Sequence, residues 1–485
     1  MNWLKRIFKR TVQKPIRKRS FAGAQMSRLN ASWLATGTSG DAEIRAGLKT
    51  LRDRARELSR NNSYVKKYLR MITINVLGAK GITFQSKIKL NSGESDEKVN
   101  DFLEAKWADW GKLKNSPDVQ GKLSWQDIQR QAIKTVARDG EVFIRIVRGY
   151  ENKYRFALQL MESDHINENL NITIPNDNEI RMGVEFDKWK KPVAYHILTK
   201  HPGDYGGVEY RTERVLANDI IHLFDPDRCN DSRGFTWIHA GMATCQMLDG
   251  YEEAELVSAR VSAAKMGIIT TPDGQYLGDD TQGKDIITEA EPGTFEVLPA
   301  GSGFEMFDPK HPQGNFAPFV KQMLRKMSSA WGVAYNSLAS DLESVNYASS
   351  RSGLLEERDN WRSIQNWFIE NFCDIVYREW LEILLTLPGT PFSIRDLERF
   401  DSAKWTARTW DWVDPLKDQK ANIEAVTNGL ASYTDILAEQ GIDFEEHIAE
   451  LAYEKEQFAD KGLDYPSKKV TAGNPQNIEK AEEKK

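Results

Sequence analysis

Residues 340–360, SDLESVNYASSRSGLLEERDN, lie where two strong helical patterns meet. Upstream, residues 316–339 (FAPFVKQMLRKMSSAWGVAYNSLA) place Phe316, Val320, Met323, Met327, Ala330 and Trp331 at the helical period. Downstream, residues 352–387 carry a second apolar stripe through Leu354, Leu355, Trp361, Ile364, Phe368, Phe372, Ile375 and Trp380, until Pro388 and Gly389 stop it. Between them stands a hinge of hydroxyl and amide side chains with Arg351 as its one cation. Ser349 and Ser350 have no base nearby in sequence, so a nucleophile is not indicated. Two readings stay open: Asn346 or Ser349 caps the following helix, or the hydroxyls touch a nucleic acid.

The rest of the chain sets the scale. At 485 residues it exceeds one compact core and suggests two to four structural units. With 40% apolar and 28% charged residues, the balance is that of an ordinary folded protein. A net charge of -5 supplies no bulk field toward nucleic acid or an anionic membrane, so any DNA contact must be local. Cys229, Cys245 and Cys373 are far apart and form neither a disulfide framework nor a zinc site. No run reaches the ~18 to 20 apolar residues of a membrane span. Residues 1–20 carry Lys5, Arg6, Lys9, Arg10, Lys14, Arg17, Lys18 and Arg19 without an acid, which denies a signal peptide its apolar core and reads as a basic arm.

Residues 51–78 read as one helix ending at Gly78, followed by a strand in GITFQSKIKL and a helix over 97–113. Ser124 and Asp127 predict a capped helix over 124–138. EVFIRIVR, RFALQLM, RMGVEFD, PVAYHIL and DIIHLF then read as five strands, with Asp187, Lys188 and Trp189 at a hairpin tip. Residues 236–266 lack proline and are rich in Ala, Gly and Ser, predicting a rod of roughly 45 Å that neighbouring helices can approach closely. Residues 267–315 read as a compact β-rich excursion containing TFEVLP. After the long helix, two or three helices are separated by Gly429 and Gly441, and residues 463–485 are expected to be disordered.

Little here suggests catalysis. GDDTQGKD (278–285) has phosphate-loop spacing, but Asp285 replaces the magnesium-binding hydroxyl and Asp279 and Asp280 would repel phosphates. The seven histidines form no metal-binding spacing, so no metal or cofactor is expected. ESDHI (162–166) sets Glu162 and Asp164 beside His165, which a strand exit explains as well as an acid/base site does.

Six stretches in order resemble the portal proteins of tailed bacteriophages, lambda-like family: RARELSRNNSYVKKYLRMITINVLGAKGITFQ, ARDGEVFIRI, LQLMESDHI, IIHLFDPDRCNDSRGFTWIHAGM, SDLESVNYASSRSGLLEERDNW and DPLKDQKANIEAVTNGLASYTDILAEQGIDFEE. The resemblance covers about residues 40 to 462. It implies an α+β portal-type fold that assembles into a ring, usually of about twelve copies, at one capsid vertex. The ring passes double-stranded DNA inward at packaging and outward at ejection, assembling in the host cytoplasm and residing in the virion. The implied parts are the arm 1–20, an α+β wing and body 21–235, a stem helix 236–266, a clip 267–315, a second stem helix 316–339, a tunnel loop 340–351, a long helix returning to the wing 352–415, a helical crown 416–462 and a tail 463–485.

In that arrangement Ser344, Asn346, Tyr347, Ser349, Ser350 and Arg351 would face DNA. Polar groups there contact phosphates without reading sequence, whereas a densely basic lining would grip DNA through counterion release and stall it. The alternative for Arg351 is pairing with Asp341 or Glu343. Asp273, Asp279, Asp280 and Lys284 would lie on the clip, where the terminase large subunit and later the head–tail adaptor dock. The arm could reach scaffold, major capsid protein or DNA. The resemblance assigns no catalysis; the competing reading is a metal-dependent nuclease using Glu162 and Asp164.

Overall fold

The computed structural model describes residues 37–463 apart from 91, 94, 174–177, 205–210, 264–266, 271–302, 307–314, 344–346, 411–414, 440–441 and 443. Helix α1 (Gly40–Asn61) starts on Ser39, whose Oγ accepts from Ala42 N, with Asp41 and Glu43 favouring the positive end of its dipole. The expected single helix over 51–78 is in fact two, because Asn62 leaves helical geometry and caps α2 (Ser63–Leu77) by accepting from Tyr64 N and Val65 N. An asparagine inside an apolar-periodic stretch does not reveal this; Asn62 also donates to Asp249, so a tertiary contact settles the break. Strand β1 (Thr83–Ser86), α3 (Glu97–Trp110) and α4 (Trp125–Asp139) follow, and Ser124 with Asp127 forms the expected capping box.

Strands β2 (Glu141–Arg148) and β3 (Phe156–Met161) pair antiparallel. Next come β4 (Ile172–Thr173), β5 (Glu179–Arg181), β6 (Val184–Phe186), β7 (Pro192–Leu198), β8 (Thr212–Leu216) and β9 (Ile220–Phe224). RMGVEFD is therefore not one strand: Met182 and Gly183 take φ of 45° and 82° and turn β5 back on β6. Two residues with positive φ are what a tight hairpin requires. The expected tip at Asp187–Trp189 is present, with the Asp187 carboxylate accepting from Trp189 N and Lys191 N. Strand order is β3-β2-β9 in one sheet and β4-β5-β6-β7-β8 in the other. Phe143, Met161 and Ile220 from the first pack on Val184, Phe186, Tyr195, Ile197 and Val215 from the second.

Helix α5 (His239–Ala263) covers most of the expected rod, and strands β10 (Gly267–Thr270) and β11 (Gly303–Met306) pair at the base of the excursion, with TFEVLP outside the described residues. Helix α6 (Phe316–Trp331) is shorter than expected: Gly332 caps it at φ 64°, and α7 (Tyr335–Ala339) is a separate turn. Leu324, rather than Ala330, belongs to its buried face. Helix α8 (Tyr347–Phe368) begins before Ser352, so the polar hinge is already helical from Tyr347.

A π turn over Ile369–Cys373 joins α8 to α9 (Asp374–Thr386). Apolar residues four apart, such as Phe368, Phe372, Val376, Trp380 and Leu384, gain about 40° per step on an ideal α-helix. The wide turn absorbs part of that drift and keeps them on one buried face. Leu355 and Ile375, expected on that stripe, are 45% and 40% exposed.

Beyond α10 (Leu397–Phe400), strand β12 (Ala403–Thr406) pairs antiparallel with β1, closing residues far apart in sequence over a tryptophan cluster. Trp107 meets Phe84, Trp110, Trp125, Tyr377, Trp380 and Trp405 with ring centroids 4.8–5.9 Å apart. Three helices end the described chain: α11 (Pro415–Thr427), α12 (Tyr433–Glu439) and α13 (Phe444–Asp460). Gly429, φ 71°, separates the first two. Among the described residues no helix is long and apolar enough to cross a membrane.

Candidate functional site

The hinge is anchored at its entry. Ser340 adopts φ 56° after α7, and Lys67 of α2 donates to its hydroxyl. Asp341 accepts from Tyr335 Oη at 2.7 Å and Lys321 Nζ at 3.0 Å, and its other oxygen accepts from Glu343 N. These contacts, led by the tyrosine hydrogen bond, hold the Asp341 carboxyl down at about 2. Burial, reinforced by the same bond, pushes Tyr335 up to about 12. On the exit side Glu357 of α8 is buried and accepts from Ser337 Oγ at 2.7 Å, Ala334 N at 3.3 Å and Trp361 Nε1 at 3.2 Å. The connector thus springs from two braced roots. Sequence reasoning missed Glu357, Tyr335 and Lys321; only Asp341, inside the hinge itself, was in view.

Of the six hinge residues expected to meet DNA, Ser344 and Asn346 lie outside the described residues. Tyr347, Ser349 and Ser350 are described by backbone alone, in the first turns of α8, so Ser349 is within the helix and not at its cap. Arg351 is half-buried. Asp273, Asp279, Asp280 and Lys284 also lie outside the described residues.

Glu162 and Asp164 sit in a different place, against the two sheets. Glu141, at the start of β2, is fully buried and accepts from Arg233 Nε at 2.9 Å, from Gly234 N at 3.1 Å and pairs with His222 Nε2 at 2.9 Å. Arg233 also donates to Met182 O and Ser163 O. From α1, Arg52 reaches Asp164 at 3.3 Å, and Arg56 donates to Asp139 at 2.9 Å and Asp164 at 2.6 Å. Gly140 and Gly234 let the chains touch: a Cβ on Gly140 would lie 2.2 Å from the Phe235 carbonyl carbon, and one on Gly234 2.3 Å from Gly140 O. Residues from five separated stretches, LRDRARELSR, ARDGEV, ESDHI, IIHLF and SRGFTW, therefore meet in one ion network.

His201, after β7, joins Glu162 and Asp164 so that their potential ligand atoms lie within 4.8 Å of one another. Arg56 Nη2 already stands 2.6 Å from Asp164 and 3.5 Å from Glu162. A guanidinium at those oxygens supplies the positive charge a metal would bring and repels a second cation. Burial opposes ionisation of Asp164, yet Arg52, Arg56 and His201 together draw its pKa below the usual carboxylate range. It is built as an anion in a structural network.

A profile described as "Phage portal protein, lambda family" matches residues 26–365. The chain is 37% identical over 475 residues to the "Probable portal protein" of Halomonas phage phiHAP-1, covering 95% of this chain and 91% of that one. The chain belongs to the lambda family of phage portal proteins. It is also 21% identical to "Portal protein B" of Escherichia phage lambda, over 90% of this chain and 89% of that one. Among solved structures, a chain of the native gene transfer agent virion is similar over 85% of this chain and 98% of its own, at 13% identity and a TM-score of 0.43. Its function is that of a portal protein in a phage capsid, its place is the virion, and its family is structural. The α+β class expected from the strand and helix patterns is the class observed.

Proposed function

We propose that copies of this portal chain close into a ring of about twelve that conducts double-stranded DNA without sequence preference and without catalysis of its own. The observation that carries the reading is the 37% identity to a portal protein along nearly the whole chain. A physical feature agrees with it: beyond Leu248, α5 leaves Leu256 54% and Val257 50% exposed, and Met247 is 76% exposed. A rod with apolar side chains facing outward needs neighbours to cover them. In the ring, α5 and α6 are the stem, residues 267–315 the clip, residues 416–462 the crown, and the hinge from Ser340 the connector nearest the DNA.

The terminase large subunit docks on the clip during packaging and the head–tail adaptor replaces it, with Asp273, Asp279, Asp280 and Lys284 in the contact. Scaffold or major capsid protein meets the outer wing. Assembly takes place in the host cytoplasm. The test is native mass together with end-on electron-microscope class averages of purified protein. A closed ring with a central hole is expected; a small closed dimer, or a chain that stays monomeric when co-expressed with its capsid and scaffold proteins, overturns the reading. Duplex DNA incubated with the protein and magnesium should stay intact, and cutting abolished by Asp164→Ala would establish the nuclease instead.

A further inference from the structure

A groove of about 700 Å³ lies between the β3-β2-β9 sheet and α9. Ile220, Ile221 and His222 line it in succession. Side chains alternate between the two faces of a strand, so three in a row mean that the groove follows the edge of β9. Among the described residues β9 pairs with β2 alone and ends its sheet, which leaves that edge open to a further chain. From α9, Ile375, Glu379 and Glu382 share one helix face and form the opposite wall. Leu216, 52% exposed, and Ile375, 40% exposed, give the groove apolar surface.

The charge of this groove is negative. Arg148 is its one lysine or arginine, and each nitrogen of its guanidinium is engaged. Nε donates to Glu379 at 3.0 Å, Nη2 to Glu379 at 2.6 Å and to Asn218 O at 3.2 Å, and Nη1 to Asp219. One cation thus serves two carboxylates. Glu382, exposed on the same wall, has no cationic partner among the described residues. Burial keeps His222 neutral near pH 7, so it adds no positive charge. A phosphate or an acidic peptide would be repelled, and the excess of carboxylate suits a cationic occupant.

The chain carries such a segment itself. Residues 3–10, WLKRIFKR, interleave Trp3, Leu4, Ile7 and Phe8 with Lys5, Arg6, Lys9 and Arg10, and residues 1–20 contain no acid. The described chain starts near β9: Arg228 Nη1 donates to Thr38 O at 3.2 Å, and Arg228 follows closely on the end of β9 at Phe224. Along the chain His222 is at most ~22 Å from Arg228, whereas the residues from Arg10 to Thr38 can span up to ~90 Å. We propose that this basic arm, residues 3–10, lies in the groove of its own chain. Its cations meet Glu382, Glu379 and Asp219, and its apolar side chains cover Leu216 and Ile375. Tethering makes the contact intramolecular, so a modest attraction is enough to fill the groove.

The test couples lysines directly to carboxylates with a water-soluble carbodiimide in the purified full chain, read by peptide mass spectrometry. Links from Lys5 or Lys9 to Glu382, Glu379 or Asp219 are expected. Hydrogen exchange supplies a second readout. Glu382→Lys, or Lys5→Glu combined with Lys9→Glu, should make amides 217–222 exchange several-fold faster. Combining all three changes should recover part of the protection. Glu356→Lys, an exposed acid of α8 outside the groove, is the control and should leave these amides unchanged. Thermal melting of each variant confirms that exposed Glu382 can be changed without unfolding the chain. Absence of links from the arm lysines to those carboxylates overturns the proposal. So does exchange at 217–222 that neither change alters, since something other than the arm then covers β9. Repeating the coupling on a mixture of light and isotope-labelled copies identifies the source of the arm: links within one copy are expected, and links only between light and heavy copies overturn docking within the same chain.

Discussion

Glu141 sits with no exposure between Arg233, His222 and the Gly234 amide, so each of its oxygens is matched by a donor. Burial raises its pKa, but Arg233 and the hydrogen bonds from His222 and Arg233 outweigh that and hold it well below the usual range. Glu141→Ala strands a buried guanidinium and should cost about 3–5 kcal/mol in urea unfolding. The double change Glu141→Leu with Arg233→Met should recover much of the loss, because no unpaired charge remains. Burial also lowers His222, more than Glu141 raises it. Both folded values lie below the unfolded ones, so the stability they contribute is complete above the unfolded values and is lost as pH falls through the folded ones. Unfolding midpoints should therefore decline below the ordinary histidine value of 6.5, and again below the ordinary glutamate value of 4.5. His222→Gln should flatten the upper decline. Gly140, at φ 97° against the Phe235 backbone, has room neither in conformation nor in space; Gly140→Ala should destabilise by about 3 kcal/mol or more.

The π turn between α8 and α9 is the element whose register matters most to the core. Inserting one further residue beside Asn371, beyond the one the wide turn already takes up, would rotate α9 by about 100°. Val376, Tyr377 and Trp380 would leave the tryptophan cluster, so the variant is expected to be insoluble or to melt without cooperativity by calorimetry. The hinge is judged differently, by local opening. Asp341→Asn gives up the charge held by Lys321 and loosens one root, so amides at 341–343 should exchange several-fold faster, with little change elsewhere. Periodicity showed both long helices yet neither the π turn nor the Gly332 break. An apolar residue every four positions fits a slightly drifting α-helix as well as a corrected one, and a glycine inside a helical pattern is a stop only if the chain turns there.

At the scale of the whole molecule, one chain leaves Met247, Leu256 and Val257 uncovered along α5. Met247→Asp combined with Leu256→Asp should keep the monomer folded, since neither side chain belongs to its core, while native mass shows rings lost or shortened to open pieces. The ion network works at this scale too. It ties α1, the end of α4, β2 and the chain entering α5 into one body.

The amino-acid sequence by itself determined the mixed helix-and-strand class, most strand positions, the capping box at Ser124, the hairpin tip at Asp187 and the family. Those rest on local periodicity, local hydrogen bonds, or an ordered set of stretches, all of which survive without three-dimensional contacts. It did not show what the family stretches are for. Arg56, Asp139, Glu141, Asp164 and Arg233 are strewn over nearly two hundred positions, and only the tertiary structure brings them together. The pairing of β1 with β12 and the carboxylates around Arg148 have the same origin. Charge attraction and ring contact depend on distance in space, and spacing along a chain does not encode it.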